Sequence, residues 1–156
     1  MIKKLVPLFI LLVTFAACSK DKFETRPTIK IKSQSRVVPA DNEAIFSVTL
    51  EYTDKEGDLS GIRDSSVYYQ AVLQNVRSVL GGSNYSADYP SLPEFPERRS
   101  GEIEIRMERV FYYRPIQNNQ GGNDSNDTLI FRIAVKDRAG NVSDTITTAP
   151  IVLLGQ

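Results

Sequence analysis

Side chains whose oxygen atoms could hold a cation are concentrated in two separate parts of the sequence. They are Asp54, Glu56, Asp58 and Asp64 in the first part and Asp137, Asn141 and Asp144 in the second. Carboxylate and amide oxygens suit Ca²⁺, which binds about six to eight of them. The first part is not an EF-hand, because Gly57 stands at the fourth loop position and Ser65 replaces the bidentate glutamate. The alternative is that these side chains cap turns, as Asp and Asn commonly do.

The absence of other residue types limits the chemistry further. The sequence has no histidine and a single cysteine, Cys18. Ser-His-Asp and Cys-His catalysis and histidine-ligated zinc are therefore excluded. A carboxylate pair of the glycosidase type is the enzymatic machinery that remains. Because acids are common on loops and no second group of fitting type stands near them, we expect a protein that is not an enzyme.

Alternation of apolar and polar residues predicts the strands that must position the acids. The predicted strands span residues 28–32, 44–53, 66–76, 101–113, 127–137 and 144–154. The inward positions are clearest for Phe46, Val48, Leu50 and Tyr52 in the second strand and for Leu129, Phe131, Ile133 and Val135 in the fifth. Pro150 places the last strand at a sheet edge or a bulge. If these strands form a sandwich, we expect the loops that follow the second and the fifth strand to emerge at the same end.

Residues 77–100 form a less regular segment with Pro90, Pro93 and Pro96. Three residues make one turn of polyproline II, so the prolines share one edge while Leu92 and Phe95 share another. The segment could dock in the aromatic groove of a partner or could form a lid over a sheet edge. The lid is the favoured interpretation.

Two further expectations concern polar and aromatic residues in the second half of the chain. Residues 114–126 end in a Gly- and Asn-rich run and predict a mobile excursion. The arginines Arg98, Arg99, Arg106 and Arg109 predict a solvated face. The tyrosines could stack on sugar rings but are more typical of sheet packing; they are Tyr68, Tyr85, Tyr89, Tyr112 and Tyr113.

The pattern as a whole predicts an all-β fold, an antiparallel β-sandwich of six to seven strands. Its most specific part is the run from Phe131 to Ser143, which contains Asp-x-Ala-Gly-Asn-x-Ser from Asp137 onward. This turn resembles those of immunoglobulin-like and fibronectin-III-like modules of bacterial surface proteins. The resemblance covers roughly residues 28–154, and the Cys-Trp-Cys core of antibody domains is absent. The resemblance concerns the architecture alone and does not indicate which ligand, if any, the domain binds.

The amino terminus has the parts of an export signal. Lys3 and Lys4 precede an apolar run that is too short to span a bilayer, which takes about 20 residues. Ala16 and Ala17 directly before Cys18 resemble the lipobox of bacterial lipoproteins, although Phe15 stands where that family prefers an aliphatic residue. The resemblance implies cleavage before Cys18 and acylation of its thiol and amino group with fatty acids such as palmitate.

These features divide the chain into a signal peptide (1–17), an acylated and polar tether (18–27) and a sandwich domain (28–154). The tether is similar to the export tag of Bacteroidota-type surface lipoproteins, which implies a location at the outer face of the outer membrane.

The charge of the predicted mature chain bears on its partners. Removing residues 1–17 leaves a formal charge of 17 − 19 = −2, so the chain lacks the excess of basic residues that nucleic-acid binding favours. We expect a binding or accessory module for a glycan or a surface protein. A structural or adhesive module and, less favoured, a glycan-active enzyme are the alternatives.

Overall fold

The computed structural model describes residues 25–59, 66–73, 85–88, 92, 95–119 and 125–155. The described part of the chain contains nine strands and one helix. In chain order these are β1 (Thr28–Gln34), β2 (Val37–Val38), β3 (Ile45–Thr53), β4 (Ser66–Leu73), β5 (Tyr85–Asp88), β6 (Ser100–Glu108), α1 (Arg109–Asn119), β7 (Asp127–Lys136), β8 (Ile146–Thr147) and β9 (Ile151–Leu153).

The smaller sheet has the order β1-β3-β6, and both of its pairings are antiparallel. Thr28 pairs with Thr53, and Ile45 pairs with Glu108, so β1 begins beside the end of β3, and β6 ends beside its start. The predicted alternation in β3 is confirmed, because every second side chain from Phe46 to Tyr52 is buried.

The larger sheet has the order β2-β9-β7-β4-β5, with β8 also paired to β7. Its pairings are antiparallel except that β2 and β9 run parallel, which the sequence did not predict. The predicted strand at 144–154 is divided into β8 and β9. Between them, Thr148 donates its amide to the Phe131 carbonyl and accepts the Phe131 amide on its hydroxyl, both at 2.9 Å. The prediction of an all-β sandwich is confirmed.

Aromatic side chains from both sheets meet in the core. Phe46 of β3 and Phe131 of β7 lie with ring centroids 6.0 Å apart, and Tyr112 of α1 is 5.5 Å from each. Such tilted and edge-to-face pairs stabilise by about 0.5–1.5 kcal/mol each beyond their burial. The helix therefore closes one end of the sandwich between the two sheets.

The helix α1 corrects two predictions. The sequence pattern predicts a strand through residues 109–113 and a mobile excursion from residue 114 onward, yet Arg109–Asn119 is helical. The buried residues Arg109, Tyr112, Tyr113 and Ile116 have the i, i+3, i+4, i+7 spacing of one helical face, whereas Phe111 is 69% exposed. The helical period includes Arg109, a charged residue at a buried position, so it does not show as a run of apolar residues.

The prediction of a solvated arginine face is wrong for Arg109, which is 0% exposed, whereas Arg98, Arg99 and Arg106 are exposed. Arg109 Nη2 donates to the Leu154 carbonyl at 2.6 Å and its Nη1 to Asn42 Oδ1 at 3.3 Å. The guanidinium carbon lies 3.7 Å from the centroid of the Tyr113 ring. Two acceptors and a stacked ring compensate the guanidinium for the water it has lost.

The proline-rich segment packs inward where it is described. Leu92 is buried, and Phe95 packs against the core with its ring centroid 6.0 Å from that of Tyr52. Pro90 and Pro93 lie outside the described residues. The two apolar side chains face the core rather than solvent, which favours the lid interpretation over a docking strip.

Candidate functional site

The loops that follow β3 and β7 meet at one end of the sandwich, as the topology predicts. The Arg138 amide donates to the Asp58 carbonyl at 3.3 Å, which ties one loop to the other. Asp54 follows the last residue of β3, and Asp137 follows the last residue of β7. Both are buried, at 1% and 0% exposure. The site therefore lies between the two sheets.

The first loop turns back on Asp54. The Asp54 amide donates to the Arg99 carbonyl at 2.8 Å, and Asp54 Oδ2 accepts the Leu59 amide at 2.9 Å. Gly57 has a φ of +74°, a left-handed conformation that glycine adopts at little cost. This turn brings Asp58 to the side of Asp54.

The second loop is the Asp-x-Ala-Gly-Asn-x-Ser turn. Asp137 Oδ1 accepts the Asn141 amide at 2.7 Å, and Oδ2 accepts the Asn141 side-chain amide at 2.9 Å. Gly140 takes a φ of +89°. Ser143 then accepts the Val135 amide on its hydroxyl at 3.0 Å and donates its own amide to the Val135 carbonyl at 2.9 Å. These bonds hold the Asp137 carboxylate in one orientation.

Asp54, Asp58 and Asp137 form a cluster that we call the acid cluster. One carboxylate oxygen from each lies within 4.8 Å of those of the other two. Asp54 Oδ1 and Asp58 Oδ1 are buried and have no hydrogen-bond partner among the described residues. A buried acceptor without a donor costs about 1–3 kcal/mol, and more when it is charged.

The electrostatics of the acid cluster disfavour three negative charges. Burial raises the pKa of the Asp54 carboxyl above its ordinary value, and the charges of Asp58 and Asp137 raise it further. The amides of Leu59 and Asp58 act in the opposite direction by donating to the carboxylate. The net shift is upward, so the ionised form of Asp54 is destabilised in the folded protein.

The other residues predicted for a metal site lie elsewhere or play another part. Glu56 is exposed. Asp144 is exposed and pairs with Arg26 at 3.6 Å. Asn141 donates its side-chain amide to Asp137, and Asp64 lies outside the described residues. Of the seven predicted residues, the structure brings three carboxylates together.

The alternation of inward and outward residues in the strands distinguishes the buried acids from an exposed one. The alternation in β3 runs through Leu50 and Tyr52, and the next position of the same parity is Asp54. In β7 it runs through Ile133 and Val135, and the next such position is Asp137. Continuing the alternation of each strand by two residues predicts that Asp54 and Asp137 face inward and makes no such prediction for Glu56, which lies further into the loop.

Residues 25–27, the described part of the predicted tether, join the sandwich at the same end as the acid cluster. Arg26 Nε donates to the Val142 carbonyl at 2.9 Å, and Thr28 pairs with Thr53 beside Asp54. A shallow cavity of about 280 Å³ lies here; it is lined by Arg26, Pro27, Thr28, Ile29, Asp144 and Ile146. This end is called the tether end.

The opposite end, called the far end, carries α1, β2 and the start of β3. Three large apolar side chains are exposed there: Val37 at 56%, Ile45 at 53% and Phe111 at 69%. Tyr112 and Tyr113 lie at the same end but are buried, so they pack in the core rather than offering a stacking surface for sugars. Within the described residues, no helix is long and apolar enough to cross a membrane.

Comparison with known proteins shows distant structural likeness. No family model matches the sequence, and no curated protein matches it. A β-glucosidase from Listeria innocua in complex with glucose matches with a TM-score of 0.38 and 14% identity over 85% of this chain. An immunoglobulin-like protein from Pseudomonas aeruginosa, PA1606, matches with a TM-score of 0.35 and 10% identity, over 86% of this chain and 99% of that one. This chain spans only about 16% of the β-glucosidase, and neither likeness assigns a function.

Proposed function

We propose that this protein is a lipid-anchored, non-catalytic binding module at the cell surface. The observation that carries the proposal is Cys18, the one cysteine of the chain, which directly follows Ala16 and Ala17 at the end of an export signal. Each methylene buried in a membrane contributes about 0.8 kcal/mol, so two or more acyl chains make detachment slow. The anchored module then acts at the membrane surface.

The geometry of the domain gives such a module two distinct ends. Thr25 follows Cys18 by seven residues, a stretch that reaches at most about 25 Å when fully extended. The tether end would therefore stay close to the membrane. The far end would point away from it, and the exposed side chains of Ile45 and Phe111 lie there.

The exposed residues favour a protein partner for the far end. Aromatic side chains are enriched in protein interfaces, and Phe111 is 69% exposed at this end. A glycan partner remains the alternative. A glycan array and a cross-linking experiment on intact cells separate the two, because sugar binding supports the alternative and a far-end cross-link to a protein supports the proposal.

The anchor is tested by replacing its sulfur. In cells that express the full chain, Cys18→Ser should abolish incorporation of labelled palmitate and release the protein from the membrane fraction. Ser19→Ala is the matched control and should leave both unchanged. Protease treatment of intact cells should then degrade the wild-type protein. A wild-type chain without fatty acid, or one that is soluble in the periplasm, contradicts the proposal.

The far end is tested by removing its apolar side chains. Phe111→Ser together with Ile45→Ser should weaken partner capture at least tenfold while the fold is retained, since both side chains are largely exposed. Val142→Ser, an exposed apolar residue at the tether end, is the matched control. Equal loss in both variants would argue against a far-end binding surface.

A further inference from the structure

We propose that the acid cluster of Asp54, Asp58 and Asp137 binds a Ca²⁺ ion that joins the two sheets at the tether end. The inference goes beyond the proposed function and does not depend on the lipid anchor. It rests on the placement of three carboxylates and on two buried oxygens that have no donor.

The first step is the charge of the acid cluster. Three carboxylates with oxygens within 4.8 Å of one another, two of them almost fully buried, repel each other strongly where water is excluded. The Arg138 guanidinium lies beside the acid cluster and donates to Glu97 Oε1 at 2.6 Å and to the Asp58 carbonyl at 3.2 Å. A bound cation would relieve this repulsion.

The second step is the hydrogen bonding of the carboxylates. Asp54 Oδ2 and both Asp137 oxygens accept N–H groups, which orient the carboxylates as outer hydrogen bonds orient metal ligands. Asp54 Oδ1 and Asp58 Oδ1 accept no hydrogen bond among the described residues. Asp54 as a whole is 1% exposed, so its Oδ1 is shielded from bulk solvent. A bound cation would supply the missing partner of both oxygens.

The third step is the choice of ion. All three side chains offer hard oxygen atoms, and the chain has no histidine and no cysteine other than Cys18. Oxygen-only sites suit Ca²⁺ rather than Zn²⁺, and Ca²⁺ tolerates irregular geometry with water or carbonyl oxygens in the remaining positions. Because Asp54 follows a strand of the smaller sheet and Asp137 a strand of the larger one, the ion would cross-link them.

The experiment uses the full chain, purified in detergent and stripped of metal with EDTA. Calorimetric titration with CaCl₂ should give one ion per chain, with a dissociation constant of about 10⁻⁴ to 10⁻³ M, the range of extracellular modules. Thermal unfolding in 10 mM Ca²⁺ should move upward by roughly 4–10 °C and should return on chelation. No titration heat together with a midpoint shift under about 1 °C would overturn the proposal.

Matched variants place the ion. Asp54→Asn and Asp137→Asn should each lower the affinity at least tenfold and reduce the thermal shift accordingly. Glu56→Gln and Asp144→Asn remove exposed acids from the same two loops and should retain both. Loss of binding in either control variant would place the ion elsewhere and would overturn the assignment.

Two further outcomes decide the remaining cases. If both asparagine variants fail to fold, the Glu56→Gln/Asp144→Asn double variant decides, since undiminished Ca²⁺ binding there supports the acid cluster and its loss contradicts it. If the wild-type protein is stabilised by acid but not by Ca²⁺ at pH 7, the carboxylates share a proton instead. That result also overturns the proposal.

Discussion

Asp54 and Asp137 occupy equivalent positions in the two sheets: each is the first residue after a strand and each continues the inward-facing series of that strand. Because β3 and β7 end on the same side of the sandwich, the two carboxylates approach each other and Asp58 between the sheets. The apolar core is therefore bordered at this end by the three carboxylates of the acid cluster. The free energy of unfolding should change with pH, with substitution of these acids and with the binding of cations to them.

The pH dependence of the metal-free protein should carry the sign of the raised Asp54 pKa. Between the unfolded pKa, near 3.8, and the higher folded pKa, the folded state binds more protons than the unfolded state. The Asp54 contribution is therefore favourable at low pH and is lost as pH rises through the folded pKa. In EDTA, Asp54→Asn should raise the midpoint of thermal unfolding at pH 7 and flatten the decline of that midpoint as the pH rises above about 3.8. A variant that is less stable than the wild-type protein at pH 7 would contradict this expectation.

Replacing Arg109 should destabilise the far end. Arg109→Ala removes a fully buried side chain and leaves the Leu154 carbonyl and Asn42 Oδ1 without their donors, so we expect a loss of about 2–4 kcal/mol in the free energy of unfolding. Urea denaturation measures the loss. Arg106→Ala, an exposed arginine on β6, should change stability by less than about 0.5 kcal/mol. Equal effects would show that the burial of Arg109 does not matter.

A methyl group at Gly101 should collide with a core ring. Gly101 pairs with Tyr52, and a Cβ at Gly101 would lie 2.9 Å from Cε1 and the hydroxyl oxygen of Tyr52. The ring is buried beside Phe95, so Gly101→Ala should cost about 1–3 kcal/mol. In a double-mutant cycle with Tyr52→Leu, the added cost of Gly101→Ala should shrink. Additive losses would place the strain in the backbone instead.

Gly140 offers a contrasting test, because its constraint lies in the backbone. Its φ is +89°, yet a Cβ there would meet nothing within 4 Å. Gly140→Ala should therefore cost about 1–2 kcal/mol from conformation alone. Gly140→Asn should cost less, since asparagine tolerates positive φ more readily. Equal losses measured by urea denaturation would contradict the conformational explanation.

Some features of this protein follow from residues that are neighbours in sequence. The alternation in residues 44–53 and 127–137 specifies two strands with one buried face, because successive strand side chains point to opposite sides. The Asp137–Ser143 turn is likewise local, since its bonds join residues no more than eight positions apart. The export signal before Cys18 is a pattern of adjacent residues as well.

Other features depended on contacts between distant segments. Arg109 is buried because the Leu154 carbonyl and Asn42 accept its donors and Tyr113 stacks on it, and no local pattern predicts an acceptor 45 residues away. The approach of two loops also decides which acids come together. It joins Asp54, Asp58 and Asp137 and leaves Glu56 and Asp144 exposed. Period-two alternation is a property of a single strand, whereas the burial of a charge depends on what the rest of the chain brings to it.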